Sequence, residues 1–168
     1  MKGIVVIQRI SDAVNTVVKW LTVLLTVGFA LIVFVSVLTR YVFNYPILWS
    51  VEVSKLLFVW SCFFAATIAY KNQAHIRFEF ASRLLGEIGI KITDLAIHSL
   101  SLLFFGFILH QSILFFRAIW GTYFPVMEIS QGWLYVSVTV SAVVFLIHNL
   151  ALLRNSILSL SSKEVHVK

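Results

Sequence analysis

This 168-residue chain is poor in the residues that most enzymes use for chemistry. It has one cysteine, Cys62, which excludes an intramolecular disulfide. The position of Cys62 in an apolar run indicates a small packing residue. The sequence holds no cysteine–histidine ligand spacing, no nucleotide-binding glycine loop and no nucleophile elbow. It therefore predicts a protein that is not an enzyme and that carries no metal or cofactor of its own.

Charged residues are also scarce. Only 12% of the residues are charged and 60% are hydrophobic, whereas a soluble domain is about a quarter charged and about half apolar. One small core cannot bury this excess, so lipid must cover part of the surface. The basic residues behind the net charge of +6 are scattered around apolar runs. This pattern favours topological signals and phospholipid headgroup contacts over nucleic-acid binding.

Four charge-free windows predict an all-α membrane protein with four transmembrane helices. The expected spans are 18–39, 50–70, 93–116 and 129–153, within a single integral membrane domain over residues 1–168. A span needs roughly 20 apolar residues to cross about 30 Å of hydrocarbon. The second window, 56–70, is shorter than this. Its helix must therefore extend back through Lys55 and Glu52 toward Pro46, a residue suited to a helix start.

The distribution of lysine and arginine predicts the orientation. Ten of these thirteen residues lie in the N-terminal segment, the 71–91 connection and the C-terminal tail. The positive-inside rule therefore places both termini in the cytoplasm, with the 40–55 and 117–128 connections facing outward.

The two longer connections are rich in apolar residues. In the cytoplasmic connection 75–91, apolar residues first alternate with charges and then recur at helical spacing, which predicts a short amphipathic interfacial segment between helices 2 and 3. The alternative is an ordinary loop packed against the span ends. The outer connection carries Trp120, Tyr123, Phe124 and Trp133. These aromatics suit anchoring at the membrane interface, and they could equally form an outward docking surface.

Three histidines, His98, His110 and His148, lie inside the predicted spans. They could be proton relays or haem ligands, which would make the chain a haem-bearing redox membrane anchor. The simpler interpretation is hydrogen bonding between helices or to a partner subunit. No acid lies at mid-span, and no proline interrupts a span. Since coupling sites in transporters use such features, this chain is not expected to bind a driving ion or a substrate itself, as a small multidrug exporter would.

Arg40, Glu52 and Lys55 form a predicted polar cluster at the outer interface. Glu52 and Lys55 are three residues apart on one helix and can neutralise each other. The short second window draws both toward the outer leaflet, where a charge usually has a partner. The alternative is that the three side chains reach the headgroups independently.

Five short motifs together resemble the small membrane subunit of TRAP (tripartite ATP-independent periplasmic) transporters. They are Arg40-Tyr-Val-Phe-Asn44, the run from Trp49 to Lys55, Phe58-Val-Trp60, the Ala65-Ala66 pair, and His75-Ile-Arg-Phe-Glu79. Gly121-Thr-Tyr-Phe-Pro125, followed by Trp133 and Tyr135, resembles the family's outer connection more loosely. The family often has two adjacent acids where this chain has Val51 and Glu52, and often a proline early in the fourth span, which is absent here.

This resemblance implies a function as well as a fold. The chain would be a non-catalytic scaffold in the bacterial inner membrane. Its partners would be a large membrane subunit that carries the sodium and substrate sites, and a periplasmic solute-binding protein that delivers an organic anion such as a dicarboxylate, a sialic acid or another sugar acid. The residues expected at subunit interfaces are Arg40, Asn44, Trp49, Glu52 and Lys55 in the outer cluster, Lys71, His75 and Glu79 in the cytoplasmic motif, and Trp120, Tyr123 and Trp133 in the outer connection.

Overall fold

The computed structural model describes residues 2–82 and 87–161, and it leaves the side chains of 2–7, 73–88, 90–91, 155 and 158–161 undescribed. The described chain forms four helices: α1 (Lys2–Tyr41), α2 (Trp49–Ser82), α3 (Glu87–Ile119) and α4 (Gly132–Ser161). The all-α prediction is confirmed. Helix α2 continues to Ser82, so the predicted interfacial segment is helical up to that residue. Its side chains, including His75 and Glu79, lie outside the described set.

All four helices are long and apolar enough to cross a membrane. The qualifying stretches are Gln8–Tyr41, Trp49–Asn72, Ile92–Ile119 and Gly132–Arg154. Helix α2 begins at Trp49, which confirms that the short second window extends back past Lys55 and Glu52. Helix α4 begins at Gly132 rather than at 129, because residues before it pair with the preceding connection: Tyr123 and Ser130 form an antiparallel bridge.

Helices α2 and α4 form the centre of the bundle. Helix α1 packs mainly on α2, α3 packs mainly on α4, and the contact between α2 and α4 joins the two pairs. No contact joins α1 to α3 among the described residues. Both central helices bury small polar residues, including Thr67 on α2 and Ser137 and Ser141 on α4. Such residues let membrane helices approach closely.

A small apolar cluster joins three of the helices. Val18, Phe64 and Val144, from α1, α2 and α4, are its buried members. Between α3 and α4, the rings of Phe105 and Phe145 stack with centroids 4.2 Å apart, and Tyr70 packs edge-on against both. Outside this core, α1 and α3 expose the most large apolar side chains, as expected for helices that face lipid or a partner.

The bundle has two ends. The terminal end holds the start of α1 and the end of α4 and is marked by Ser11 and Asn149. The loop end holds the 42–48 and 120–131 connections.

Candidate functional site

The 120–131 connection at the loop end folds into a compact hairpin. The amide of Phe124 donates to the carbonyl of Ile129 over 2.9 Å, and the amide of Gln131 donates to the carbonyl of Thr122 over 2.8 Å. Glu128 turns the chain with a φ of 54°, in the left-handed region that few non-glycine residues adopt. The Phe124 side chain is buried beneath this turn. The connection is thus an ordered element rather than an open loop.

Glu52 of α2 holds the tip of this hairpin. Its carboxylate oxygens accept the backbone amides of Val126 over 3.0 Å and of Met127 over 2.8 Å. Hydrogen bonds to an ionised acceptor are stronger than neutral ones, and only 8% of Glu52 is exposed. We call Glu52, Val126 and Met127 the loop-end clamp. It fixes the hairpin to the start of α2.

The partners of Glu52 differ from those predicted for the polar cluster of Arg40, Glu52 and Lys55. Arg40 and Lys55 are exposed, and in the described part of the chain neither forms an ion pair with Glu52. The Arg40 guanidinium lies instead 5.9 Å from the centre of the Tyr41 ring. The Glu52 carboxylate accepts hydrogen bonds from backbone amides because the hairpin brings two of them to the start of α2. Arg40 and Lys55 remain accessible to headgroups or to a partner.

The remaining residues predicted for the outer surface lie at the same end. Asn44 is exposed with a φ of 52°, and Trp49, Trp120, Tyr123 and Trp133 all expose part of their rings. Both Trp120 and Trp133 accept a hydrogen bond through their backbone, the first within the hairpin and the second between α4 and α2. The Trp120 carbonyl accepts the Ser130 hydroxyl over 2.7 Å, and the Trp133 carbonyl accepts the Trp60 indole over 3.1 Å.

A second polar group, at the terminal end, joins all four helices. On α4, Asn149 Oδ1 accepts the hydroxyl of Tyr70 from α2 over 3.0 Å and lies 3.1 Å from Nδ1 of His98 on α3. The Asn149 amide in turn donates to the His98 carbonyl over 2.9 Å. The next residue on α4, His148, is 1% exposed, and its Nδ1 lies 2.8 Å from the Ser11 hydroxyl of α1.

Lys71 completes this group. Its ammonium donates to the Ser11 carbonyl over 3.0 Å and forms an ion pair of 2.6 Å with Asp12. We call Ser11, Asp12, Tyr70, Lys71, His98, His148 and Asn149 the terminal-end network. Lys71 is the one member of the predicted cytoplasmic motif whose side chain is described. It ties α2 to α1.

The network borders a cavity of about 320 Å³ between α1, α2 and α4, lined by Gln8, Ser11, Asp12, Lys71, His148, Ala151 and Leu152. Nε2 of His148 is buried and has no hydrogen-bond partner among the described residues. Across the described residues, no group of three or more histidine, cysteine or acidic side chains could hold a metal ion.

The three span histidines have different surroundings. His98 and His148 bond neighbouring helices, as the hydrogen-bonding interpretation predicts. His110 is exposed on α3.

Sequence reasoning missed Ser11, Asp12, Tyr70 and Asn149 in this network. The partners are far apart in the chain, as with Ser11 and His148, which are separated by 137 residues. One signal was available. Ser137, Ser141 and His148 recur at helical spacing inside an apolar run, and polar residues in a span face the bundle interior.

Comparison with known proteins identifies the family. A model described as "Tripartite ATP-independent periplasmic transporters, DctQ component" matches residues 29–158. The chain belongs to this family. It is therefore a small permease subunit of a TRAP transporter, as the sequence motifs indicated, and its four apolar helices fit that role.

The relatives differ in length. Sialic acid TRAP transporter permease protein SiaT of Haemophilus influenzae (strain 86-028NP) is 27% identical over 136 residues, which cover 79% of this chain but 22% of SiaT. Sialic acid TRAP transporter small permease protein SiaQ of Vibrio cholerae is 30% identical over 81 residues, or 48% of this chain and 47% of SiaQ. A putative TRAP transporter small permease protein of H. influenzae (strain Rd) is 22% identical, with 81% of this chain and 84% of the relative covered.

Proposed function

We propose that this subunit is a rigid, non-transporting scaffold for a larger permease subunit, and that its loop end presents a preformed surface to a periplasmic solute-binding protein. The loop-end clamp is the observation that carries the proposal. A buried carboxylate that holds two backbone amides of a connection fixes the shape of that connection before any partner arrives. Pre-organisation of this kind lowers the ordering cost of association.

The placement of the acidic side chains supports a helper rather than a transporting role. Within the described stretches that could cross a membrane, the acids are Asp12, Glu52 and Asp94, all near the start of their stretch. Asp12 forms an ion pair with Lys71, and Glu52 accepts the two backbone amides of the loop-end clamp. A coupling ion is usually bound near the bilayer midplane, so the sodium sites are assigned to the large subunit.

The solute we propose is an organic anion of the sialic acid type. SiaT and SiaQ, both named for sialic acid transport, are similar to this chain. The chain spans about half of SiaQ and about a fifth of SiaT, so the solute is inferred for the assembly and not for this subunit alone.

Reconstituted transport tests the proposal. Proteoliposomes that hold the subunit together with its large partner and binding protein should take up labelled sialic acid when a sodium gradient is applied. Vesicles with the small subunit alone should show none. Uptake of a C4-dicarboxylate in place of sialic acid would overturn the solute assignment, and uptake by the small subunit alone would overturn the scaffold role.

A further inference from the structure

The exposed faces of α1 and α3 differ in chemistry. On α1, an outward stripe at three- and four-residue spacing is entirely apolar: Val17, Trp20, Leu24, Val27, Leu31, Phe34 and Leu38. Lipid tails solvate such a stripe well. On α3, the exposed residues Leu103, His110 and Leu114 and the half-buried Gly106 recur at the same spacing, beside exposed apolar side chains such as Phe104 and Phe107. A glycine and an ionisable side chain therefore lie where the other flanking helix has large aliphatic and aromatic groups.

His110 is costly to expose to lipid. It lies seven residues before Arg117, about 10 Å along the helix axis, well within a hydrocarbon layer of about 30 Å. The short imidazole cannot reach headgroups over that distance. Within the described residues it has no hydrogen bond or ion pair, unlike His98 and His148. A polar group in hydrocarbon without a partner is destabilising.

Gly106 lies one helical turn from His110 on the same face. A methyl group built at Gly106 would meet nothing within 4 Å, so the glycine is not required by packing inside this chain. In contrast, a methyl group built at Gly28 of α1 would lie 3.7 Å from Cδ1 of Leu57. An open glycine beside a hydrogen-bonding side chain is a combination that brings two membrane helices into close contact.

We propose that the α3 face formed by Leu103, Gly106, His110 and Leu114 is the docking surface for a transmembrane helix of the large permease subunit. That helix would pack its backbone against Gly106 and offer His110 a hydrogen-bonding side chain such as serine, threonine, asparagine or a carboxylate. The inference rests on the proposed function for the existence of the large subunit. It goes beyond that proposal by naming the helix, the face and the chemistry of the contact.

The large subunit is preferred to a second copy of this chain because of the length of one relative. This chain matches only 22% of SiaT, so in SiaT the matching segment belongs to a much longer chain that can cover its exposed faces. The all-apolar stripe of α1 is left to lipid.

Two substitutions test the surface. The Cβ that Gly106→Leu adds meets no atom within 4 Å, and leucine has a higher helix propensity than glycine, so the purified subunit should melt at the same or a higher temperature. The amount of co-expressed large subunit that co-purifies with this variant should fall about tenfold. His110→Leu removes one interhelical hydrogen bond and should reduce recovery about threefold. The control Leu24→Phe, on the exposed stripe of α1, should leave recovery unchanged.

Crosslinking separates the possible partners. In a Cys62→Ser background, Gly106→Cys should crosslink to cysteines in one helix of the large subunit. Crosslinks between two copies of this chain would overturn the assignment in favour of a homodimer. If the wild-type subunit recovers the large subunit and both α3 variants recover it equally well, the α3 surface is wrong while the proposed function stands. If the wild-type subunit recovers no large subunit, the proposed function fails.

Discussion

The hydroxyl of Tyr70 donates to Oδ1 of Asn149 over 3.0 Å, where the termini of the bundle meet. The same oxygen lies 3.1 Å from Nδ1 of His98, so one amide side chain of α4 holds both α2 and α3. Neighbouring His148 extends the connection to α1 through Ser11. Two consecutive residues of α4 therefore link it to all three other helices.

Asn149→Ala should destabilise the subunit by about 1–3 kcal/mol, since it leaves the half-buried partners Tyr70 and His98 without this bond. Asn149 is 0% exposed, so water cannot compensate. Asn72→Ala is a matched control because Asn72 is exposed on α2. Thermal unfolding of both variants in the same detergent checks the expectation. Equal melting temperatures would show that the network contributes little.

Glu52→Gln should loosen the 120–131 hairpin. A glutamine side chain offers one acceptor oxygen without charge, so at least one of the bonds to Val126 and Met127 is lost and the other is weakened. Hydrogen exchange at these two amides should become at least tenfold faster, following the loss of about 1.4 kcal/mol or more. Glu128→Gln, which removes an exposed acid from the same connection, should leave their exchange unchanged.

Much of this architecture could be predicted from local pattern. The charge-free windows marked all four helices, and the shortness of the window 56–70 correctly required α2 to include Glu52. What could not be predicted is which side chains meet across the bundle. The Glu52 carboxylate bonds amides 74 and 75 residues away, and backbone amides leave no mark in sequence. The sequence therefore suggested Arg40 and Lys55, the charged residues nearest to Glu52 in the chain, as its partners.

The ion pair of Lys71 and Asp12 should contribute less than its short distance suggests. Side-chain exposure is 72% at Asp12, so water screens the attraction, and exposed pairs are worth about 0–1 kcal/mol. Asp12→Asn should therefore shift the free energy of unfolding by less than about 1 kcal/mol. Lys71→Met should cost more, since it also removes the bond to the Ser11 carbonyl. Urea unfolding at low and high salt compares the two, and a larger loss for Asp12→Asn would contradict this order.

Gly132 is restricted by its neighbours rather than by its backbone angles. A methyl group there would lie 2.9 Å from Cε3 of Trp120 and 3.1 Å from the Ser130 hydroxyl. Gly132→Ala should thus displace the Trp120 ring or the start of α4 and cost about 1–3 kcal/mol. Gly121→Ala is the control, because its added methyl group meets nothing within 4 Å. Indole fluorescence and thermal unfolding report the two effects, and identical behaviour of both variants would rule out the crowding.

The orientation predicted from the basic residues can be tested at two exposed asparagines. Asn44 lies in the 42–48 connection at the loop end of the bundle, and Asn72 lies on α2 near the terminal end. In a Cys62→Ser background, Asn44→Cys at the loop end should react with a membrane-impermeant maleimide added to intact cells with a permeabilised outer membrane. Asn72→Cys, near the terminal end, should react only after the inner membrane is opened. This pattern follows from ten of thirteen lysines and arginines lying on the side of the termini. The reverse pattern would place the clamp and hairpin in the cytoplasm, where no periplasmic binding protein could reach them.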